Sequence, residues 1–246
     1  MIPKIIHYCW FGGKDKPDDV KKYIETWKKQ LPDYELKEWN EENFSVKDAP
    51  LYVQEAYSVG KYAFVSDYAR IKALKEYGGV YFDTDLEVVK PFDEYLEGKE
   101  LVMGFESEGL LITAFIACEK EHPFISQFLD TYNSRKFINP DGSYDLTTIN
   151  DHYSALAKEW GVDLSKNELQ NISDTVIVYP IEYFCGFDTR NWHVATTDNT
   201  CTIHHMASSW APGKTKLMIV VISILQKILG LNNYDKFRKF VNGLRK

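Results

Sequence analysis

Two hydrophobic periodicities alternate along this chain and predict an α/β fold. Apolar runs rich in β-branched and aromatic residues predict strands, whereas apolar residues spaced three and four positions apart predict amphipathic helices. Because strands and helices alternate along the chain, we expect right-handed βαβ crossovers and a mostly parallel sheet flanked by helices. The predicted strands are 3–10, 34–39, 80–82, 101–106, 110–118, 176–180 and 201–205, and the predicted helices are 18–31, 51–60, 66–77, 125–133 and 149–160.

The most informative pattern is a strand that ends in two acids, Asp83 and Asp85. Side chains alternate along a strand, so we expect both carboxylates on one face. They repel each other unless a cation lies between them, and oxygen ligands favour Mg²⁺ or Mn²⁺ over zinc. The preceding helix, which we expect Ser66 and Asp67 to cap, adds an acid and a cation in Asp67 and Arg70. The alternative interpretation is a solvated turn, since a bare D-x-D is common.

Three motifs together resemble a known family. They are S-D-x-x-R followed by G-G-x-Y-x-D-x-D in the central segment, I-P-K-I-I-H-Y-C-W-F-G-G near the start, and I-H-H-M-A-S-S-W near residue 210. The combination resembles the family 32 DXD-type glycosyltransferases, which include capsular-polysaccharide sugar transferases, the yeast initiating mannosyltransferase and, distantly, the clostridial glucosylating toxins. The resemblance implies a GT-A-like single domain, a nucleotide-sugar donor with Mn²⁺ (or Mg²⁺), and retention of anomeric configuration.

The resemblance also implies roles for individual residues. Asp67, Arg70, Asp83 and Asp85 are the expected catalytic residues, and Asp83, Asp85 and His205 the expected metal ligands. Adjacent residues of a strand face opposite sides, so we expect at most one of His204 and His205 to join the site, and His205 is slightly preferred. The expected donor-binding residues are Trp10, which stacks on the base, together with Asp67, Arg70, Ser209 and Trp210.

Two departures from the family pattern leave the acceptor side open. Thr113 stands where relatives carry the Asn of Asn-Ala-Phe-Ile-Gly, and Thr147-Thr148 lacks the Gly-Pro that often follows the first threonine. We therefore assign no binding role to Thr148. Asp151 and His152 are candidate residues for contact with an acceptor.

Charge is divided unevenly along the chain. The net charge of −7 argues against a nucleic-acid partner, which normally requires a basic surface. From residue 211 onward there are eight Lys and Arg but one acid, so this part carries +7 and the first 210 residues carry −14. We therefore expect a glycosyltransferase domain at 1–210 and a basic, amphipathic helical tail at 211–246. Its apolar run within 214–231 is too interrupted to span a bilayer comfortably, and suggests peripheral contact with an anionic membrane or, alternatively, packing on the domain or a dimer partner.

These observations predict a metal-dependent retaining hexosyltransferase that acts on a saccharide or lipid-linked acceptor in bacterial surface polysaccharide synthesis. UDP-sugars are preferred to GDP-sugars as donors. Four dispersed cysteines without a C-x-x-C pair, and no visible signal peptide, suggest a cytoplasmic protein at the inner face of the plasma membrane. The alternatives are another metal-dependent nucleotide-sugar enzyme and a non-catalytic, membrane-peripheral sugar- or nucleotide-binding protein.

Overall fold

The structure of this 246-residue protein is a computed structural model, and it describes residues 1–207 together with 221–222, 224–226, 228–230 and 233–234. The α-helices within residues 1–207 are α1 (Asp18–Gln30), α2 (Leu51–Ser58), α3 (Tyr62–Tyr77), α4 (Asp93–Leu96), α5 (Pro123–Asp130), α6 (Ile149–Glu159) and α7 (Ile181–Phe184). The strands are β1 (Ile5–Cys9), β2 (Glu35–Trp39), β3 (Gly79–Phe82), β4 (Leu86–Val88), β5 (Leu101–Ser107), β6 (Leu110–Leu111), β7 (Phe115–Cys118), β8 (Gln170–Asn171), β9 (Val176–Tyr179), β10 (Phe187–Asp188), β11 (His193–Val194) and β12 (Thr202–His204).

Eight strands form the central sheet, in the order β2-β1-β3-β7-β5-β9-β8, with β6 paired to β5. β1 is parallel to β2 and β3, and β5 is parallel to β9. β7 runs antiparallel between β3 and β5, and β6 and β8 are antiparallel to their neighbours. Five of these eight strands therefore share one direction, which confirms the predicted α/β class with a mostly parallel sheet flanked by helices.

Both faces of the sheet are covered, because alternate residues of one strand enter different cores. In β3, Tyr81 packs with residues of α2, α3, α5 and α6, whereas Val80 and Phe82 pack with residues of α1 and α7. Trp27 of α1 is fully buried, lies edge-on to Phe82 with ring centroids 5.2 Å apart, and donates Nε1–H to the carbonyl of Leu86 at 2.7 Å. Burying each such large side chain stabilises the fold by roughly 1.5–3 kcal/mol.

A separate two-stranded sheet ties a late part of the chain to the segment that follows the Asp pair. β12 runs antiparallel to β4, with Thr202 opposite Val88 and His204 opposite Leu86. The backbone N–H of His204 also donates to the carbonyl of Cys185 at 2.8 Å. This pairing fixes where His204 lies relative to Asp83 and Asp85.

Helix α3 begins four residues earlier than predicted. Ser66 and Asp67 do not cap it but lie inside it, where Ser66 Oγ donates to the carbonyl of Tyr62 at 3.1 Å and Asp67 faces Arg70. The capping prediction is wrong because Phe64 and Val65 are buried, so the extra helical turn gains apolar packing. The predicted strand 110–118 is likewise divided into β6 and β7, with Thr113 in the interruption.

The predicted tail helix at 214–231 and the basic end of the chain lie mostly outside the described residues. Among the residues that are described, no helix combines the length and the apolar character needed to cross a membrane.

Candidate functional site

Asp83 and Asp85 lie in the turn that connects β3 to β4. The backbone N–H of Asp83 donates to the carbonyl of Ala114 at 3.0 Å, and the N–H of Leu86 donates to the carbonyl of Asp83 at 3.1 Å. The expectation that both acids extend the strand is wrong, because β3 ends at Phe82 and the chain turns there into the second sheet. The turn nevertheless brings the two carboxylates together.

His204, rather than the expected His205, is the histidine beside the Asp pair. His204 Nε2 lies 3.3 Å from Asp85 Oδ1. The side chain of His205 instead contacts Glu87, with 2.8 Å between Nε2 and Oε2, and stacks on Tyr23 with ring centroids 4.6 Å apart. His204 is the last residue of β12 and His205 directly follows it, so the two imidazoles face opposite sides, and the register with β4 places His204 beside the turn.

Asp83, Asp85 and His204 fit a divalent cation. Each offers one ligand atom, and these atoms all lie within 4.8 Å of one another, so modest side-chain movement lets one ion contact all three. Two carboxylate oxygens and one imidazole nitrogen form a donor set that suits Mn²⁺ better than Mg²⁺, which favours oxygen ligands. Three protein ligands leave further coordination positions for oxygens of a bound molecule.

Arg70 organises the acids on the other side of the site. Its NH2 lies 2.8 Å from Asp67 Oδ1 and 3.1 Å from Asp83 Oδ1, and its NH1 donates to the carbonyl of Thr113 at 2.9 Å. The guanidinium also lies over the ring of Tyr81, 4.5 Å from the centroid, while the Tyr81 hydroxyl donates to Asp83 Oδ1 at 2.9 Å. The Arg70 side chain is only 6% exposed, so its charge is held in place by these partners.

The environment gives the acids different proton affinities. Burial raises the pKa of Asp67 to about 6, despite the opposing charge of Arg70. Burial also acts to raise the pKa of Asp85, but it is outweighed by His204, which Asp85 and Glu106 keep protonated while no cation is bound, and by the N–H of Ala207, 2.8 Å from Asp85 Oδ2, so this pKa is lowered to about 2. Asp85 is therefore ionised at neutral pH, as a cation ligand must be.

These residues line a cavity of about 560 Å³. A second hollow of about 540 Å³ shares Trp10, Gly12, Lys14 and Tyr62 with it, so the half-buried Trp10 lies where the two meet. Gly12 has a φ of +96°, and a Cβ there would lie 2.5 Å from the ring of Tyr62, so this turn needs glycine. The polar residues that line the larger cavity include Asp67, Arg70, Asp83, Asp85, Glu106, Thr113, Asn150 and His204.

Glu106 and Asn150 are site residues that the sequence interpretation missed. Asn150 Nδ2 donates to Glu106 Oε2 at 3.1 Å and to the carbonyl of Leu111 at 2.8 Å, and its Oδ1 accepts from Thr113 Oγ1 at 2.9 Å. Two signals were available in the sequence. Glu106 is an acid at the end of the apolar run 101–106. Asn150 lies between the threonine and the aspartate of an N-terminal capping box.

The remaining predicted residues fall into two groups. Ser209 and Trp210 lie outside the described residues. Thr148 and Asp151 form the capping box at the N-terminus of α6, which accounts for the polar side chain of Asp151. Neither Asp151 nor His152 is among the residues that line the larger cavity, although Thr148 is.

Comparisons with known proteins find similarity to glycosyltransferases. Residues 17–102 match the family described as a glycosyltransferase sugar-binding region containing a DXD motif. An uncharacterized glycosyltransferase of Acanthamoeba polyphaga mimivirus is 25% identical over 228 residues, which cover 86% of this chain and 85% of the viral protein. Inositol phosphoceramide mannosyltransferase 1 of Schizosaccharomyces pombe is 28% identical over 150 residues, or 55% of this chain and 45% of the yeast protein.

Among solved structures, the PaToxG glycosyltransferase has a TM-score of 0.48 and 23% identity, with 64% of this chain and 68% of that chain covered. The matched residues 17–102 contain Asp67, Arg70, Asp83 and Asp85, so the candidate site lies in the part of the chain that is similar to DXD-containing glycosyltransferases.

Proposed function

We propose that this DXD-containing glycosyltransferase moves a hexose from a nucleotide sugar to a saccharide or lipid-linked acceptor, with retention of anomeric configuration and with Mn²⁺ (or Mg²⁺) bound. The observation that carries the proposal is the convergence of Asp83, Asp85 and His204 on the wall of a cavity that also contains Trp10 and Arg70. A UDP-sugar is the preferred donor and a GDP-sugar the second choice.

Asp83, Asp85 and His204 are the proposed ligands of the cation. When bound, the cation supplies Lewis-acid neutralisation of the diphosphate leaving group. Asp83 Oδ1 is already engaged by Arg70 and Tyr81, which leaves Oδ2 as the oxygen available for this purpose.

The chain's own side chains bind and orient the donor. Trp10, at the junction of the two hollows, stacks on the nucleobase. Arg70 binds Asp67 and Asp83 through NH2 and the carbonyl of Thr113 through NH1, so its role is to hold the acids in place. Asp67 uses Oδ1 for Arg70 and presents its other oxygen to sugar hydroxyls. Ser209 and Trp210 are proposed to donate further hydrogen bonds to the diphosphate.

We assign none of the carboxylates in the described part of the chain as a nucleophile, and we therefore propose direct front-face attack by the acceptor. The acceptor hydroxyl forms the new glycosidic bond at the anomeric carbon, the bond to the diphosphate breaks on the same face, and the hydroxyl proton passes to the departing diphosphate oxygen. This step requires room for the acceptor in the cavity that contains Asp83, Asp85 and His204, and Leu110, Thr148 and Asn150 line the same cavity.

The acceptor class is proposed from two considerations. The S. pombe relative is named an inositol phosphoceramide mannosyltransferase, and the sequence resemblance includes capsular-polysaccharide sugar transferases. A lipid-linked precursor of a bacterial surface polysaccharide is a saccharide acceptor that is located at a membrane. A basic tail at 211–246 suits binding to the anionic inner face of a plasma membrane.

Flotation with vesicles tests this location. The full chain is expected to float with phosphatidylglycerol-containing vesicles, not with phosphatidylcholine vesicles, and to be released by high salt. A variant in which Lys236, Arg238 and Lys239 are replaced by Glu is expected to stay unbound. Equal flotation of this variant and the wild type would contradict the proposed membrane contact.

The catalytic proposal is tested by nucleoside diphosphate release from a panel of UDP- and GDP-sugars, with Mn²⁺ and with chelator, in the presence and absence of a saccharide acceptor. The expected result is metal-dependent release that the acceptor accelerates, with an α-linked product seen by NMR. Release that is unaffected by any acceptor would indicate a nucleotide-sugar hydrolase instead. Metal-dependent nucleotide binding without any release would indicate a binding protein.

A further inference from the structure

His204 has one ring nitrogen directed to the Asp pair and one directed away from it. Nε2 lies 3.3 Å from Asp85 Oδ1, whereas Nδ1 lies 3.6 Å from Glu106 Oε2. Nδ1 is buried and makes no hydrogen bond within the part of the chain that the structure describes. A buried N–H or ring nitrogen without a partner is costly, and a shift of a few tenths of an ångström would give it one.

Glu106 is itself held in place by a neutral group. Asn150 Nδ2 donates to Glu106 Oε2 at 3.1 Å, and the Asn150 side chain is fixed in turn by Leu111 and Thr113. Asn150 belongs to the first turn of α6, where the Thr148–Asp151 capping box fixes the backbone. The Glu106 side chain is 16% exposed, so water competes weakly for its oxygens.

The same chain of hydrogen bonds continues to the other side of the site. Thr113 accepts from Arg70 through its carbonyl at 2.9 Å, and Arg70 binds Asp67 and Asp83. One connected network therefore runs from the acids held by Arg70 to the residue that faces Nδ1 of His204.

A neutral imidazole has one N–H and one lone pair, and only the nitrogen with the lone pair can bind a cation. If Nε2 carried the hydrogen, it would donate to Asp85 and present no lone pair to the Asp pair. A carboxylate beside Nδ1 favours the opposite tautomer, with the hydrogen on Nδ1 and the lone pair on Nε2.

We propose that Glu106, held by Asn150, is a positioning residue that accepts a hydrogen bond from Nδ1–H of His204 and so turns the lone pair of Nε2 toward Asp83 and Asp85. This inference rests on the proposed cation site. In this role Glu106 raises the affinity of the site for the cation without contacting the cation.

The test measures binding of Mn²⁺ by electron paramagnetic resonance, with UDP present, for the wild type, Glu106→Ala, Glu106→Gln and Glu108→Gln. Glu106→Ala is expected to weaken Mn²⁺ binding by about 10- to 100-fold, the usual effect of losing a partner behind a metal-binding histidine. Glu106→Gln keeps an acceptor oxygen and is expected to restore most of the affinity. Glu108→Gln is the matched control, since the Glu108 side chain is 71% exposed and outside the lining of the larger cavity.

Thermal unfolding in chelator checks that the variants are folded as the wild type is, and Glu106→Gln keeps the comparison possible if the alanine variant is not. The role of Glu106 would be overturned if Glu106→Ala bound Mn²⁺ within twofold of the wild type, or if Glu106→Ala and Glu108→Gln lost equal affinity. Neither result would count against the cation site itself. Absence of Mn²⁺ binding by the wild type would overturn the cation site and the role of Glu106 with it.

Discussion

Arg70 lies one helical turn after Asp67, and its guanidinium is 2.8 Å from the Asp67 carboxylate with both side chains almost fully buried. A second carboxylate, that of Asp83, lies 3.1 Å from the same nitrogen. One guanidinium therefore compensates two acids in the lining of the cavity, the nearly buried Asp67 and the partly buried Asp83.

Replacing Arg70 by Met is expected to destabilise the fold by about 3–5 kcal/mol, because removing one partner leaves buried charge without compensation. The measurement is urea unfolding at neutral pH. Lys28→Met is the matched control: Lys28 pairs with Glu25 at the same three-residue spacing, but on the exposed face of a helix, and its loss is expected to cost less than about 1 kcal/mol. Similar losses in the two variants would show that the Arg70 cluster does not anchor the site.

Replacing Trp10 by Ala is expected to weaken nucleotide binding by about 5- to 150-fold, because stacking of a base on an aromatic ring contributes about 1–3 kcal/mol. Trp10→Phe keeps a stacking surface and is expected to retain most of the affinity. Isothermal titration of UDP and GDP with Mn²⁺ present measures both. Unchanged affinity in the alanine variant would place the base elsewhere in the cavity.

His7 is expected to make stability depend on pH. The imidazole is buried, with Nε2 2.8 Å from the carbonyl of Gly78 and Nδ1 accepting from Trp39 Nε1 at 3.2 Å, and burial lowers its pKa from 6.5 to about 4. The unfolded state binds the proton more readily, so the contribution of His7 is complete above about pH 6.5 and is lost as the pH falls through 4. The full effect is on the order of 3 kcal/mol.

The measurement is urea unfolding of the wild type and His7→Gln between pH 7 and pH 4, in chelator so that no cation contributes. The difference in unfolding free energy between the two proteins is expected to shrink as the pH falls, because glutamine does not titrate. A difference that stays constant over this range would refute the assignment of a neutral, structural His7.

Local patterns were enough to predict the fold class and to group four of the candidate site residues. The apolar runs at β1, β3 and β9 and the helical periodicity of α1 and α6 depend on short-range alternation, which the sequence displays directly. Asp67, Arg70, Asp83 and Asp85 were predicted as a group because they are close in sequence, and the structure brings them to one cavity.

The features that the sequence interpretation missed depend on contacts made in the folded protein. The preference for His205 over His204 needed the register between β12 and β4, which joins segments more than one hundred residues apart. The early start of α3 follows from burial of Phe64 and Val65, and the contact of Glu106 with Asn150 links β5 to α6. No spacing rule within a single segment predicts such contacts.

The central claim is that Asp83, Asp85 and His204 hold the cation on which sugar transfer depends. It is tested most directly by Mn²⁺-dependent release of nucleoside diphosphate from the preferred donor by the wild type, Asp85→Asn and the exposed control Asp18→Asn, with thermal unfolding to confirm the fold. The account predicts that Asp85→Asn lowers kcat/KM by at least about 100-fold, since a bound cation contributes several kcal/mol to stabilising the transition state, while Asp18→Asn leaves it unchanged. A folded Asp85→Asn enzyme with wild-type, Mn²⁺-dependent turnover would contradict the claim.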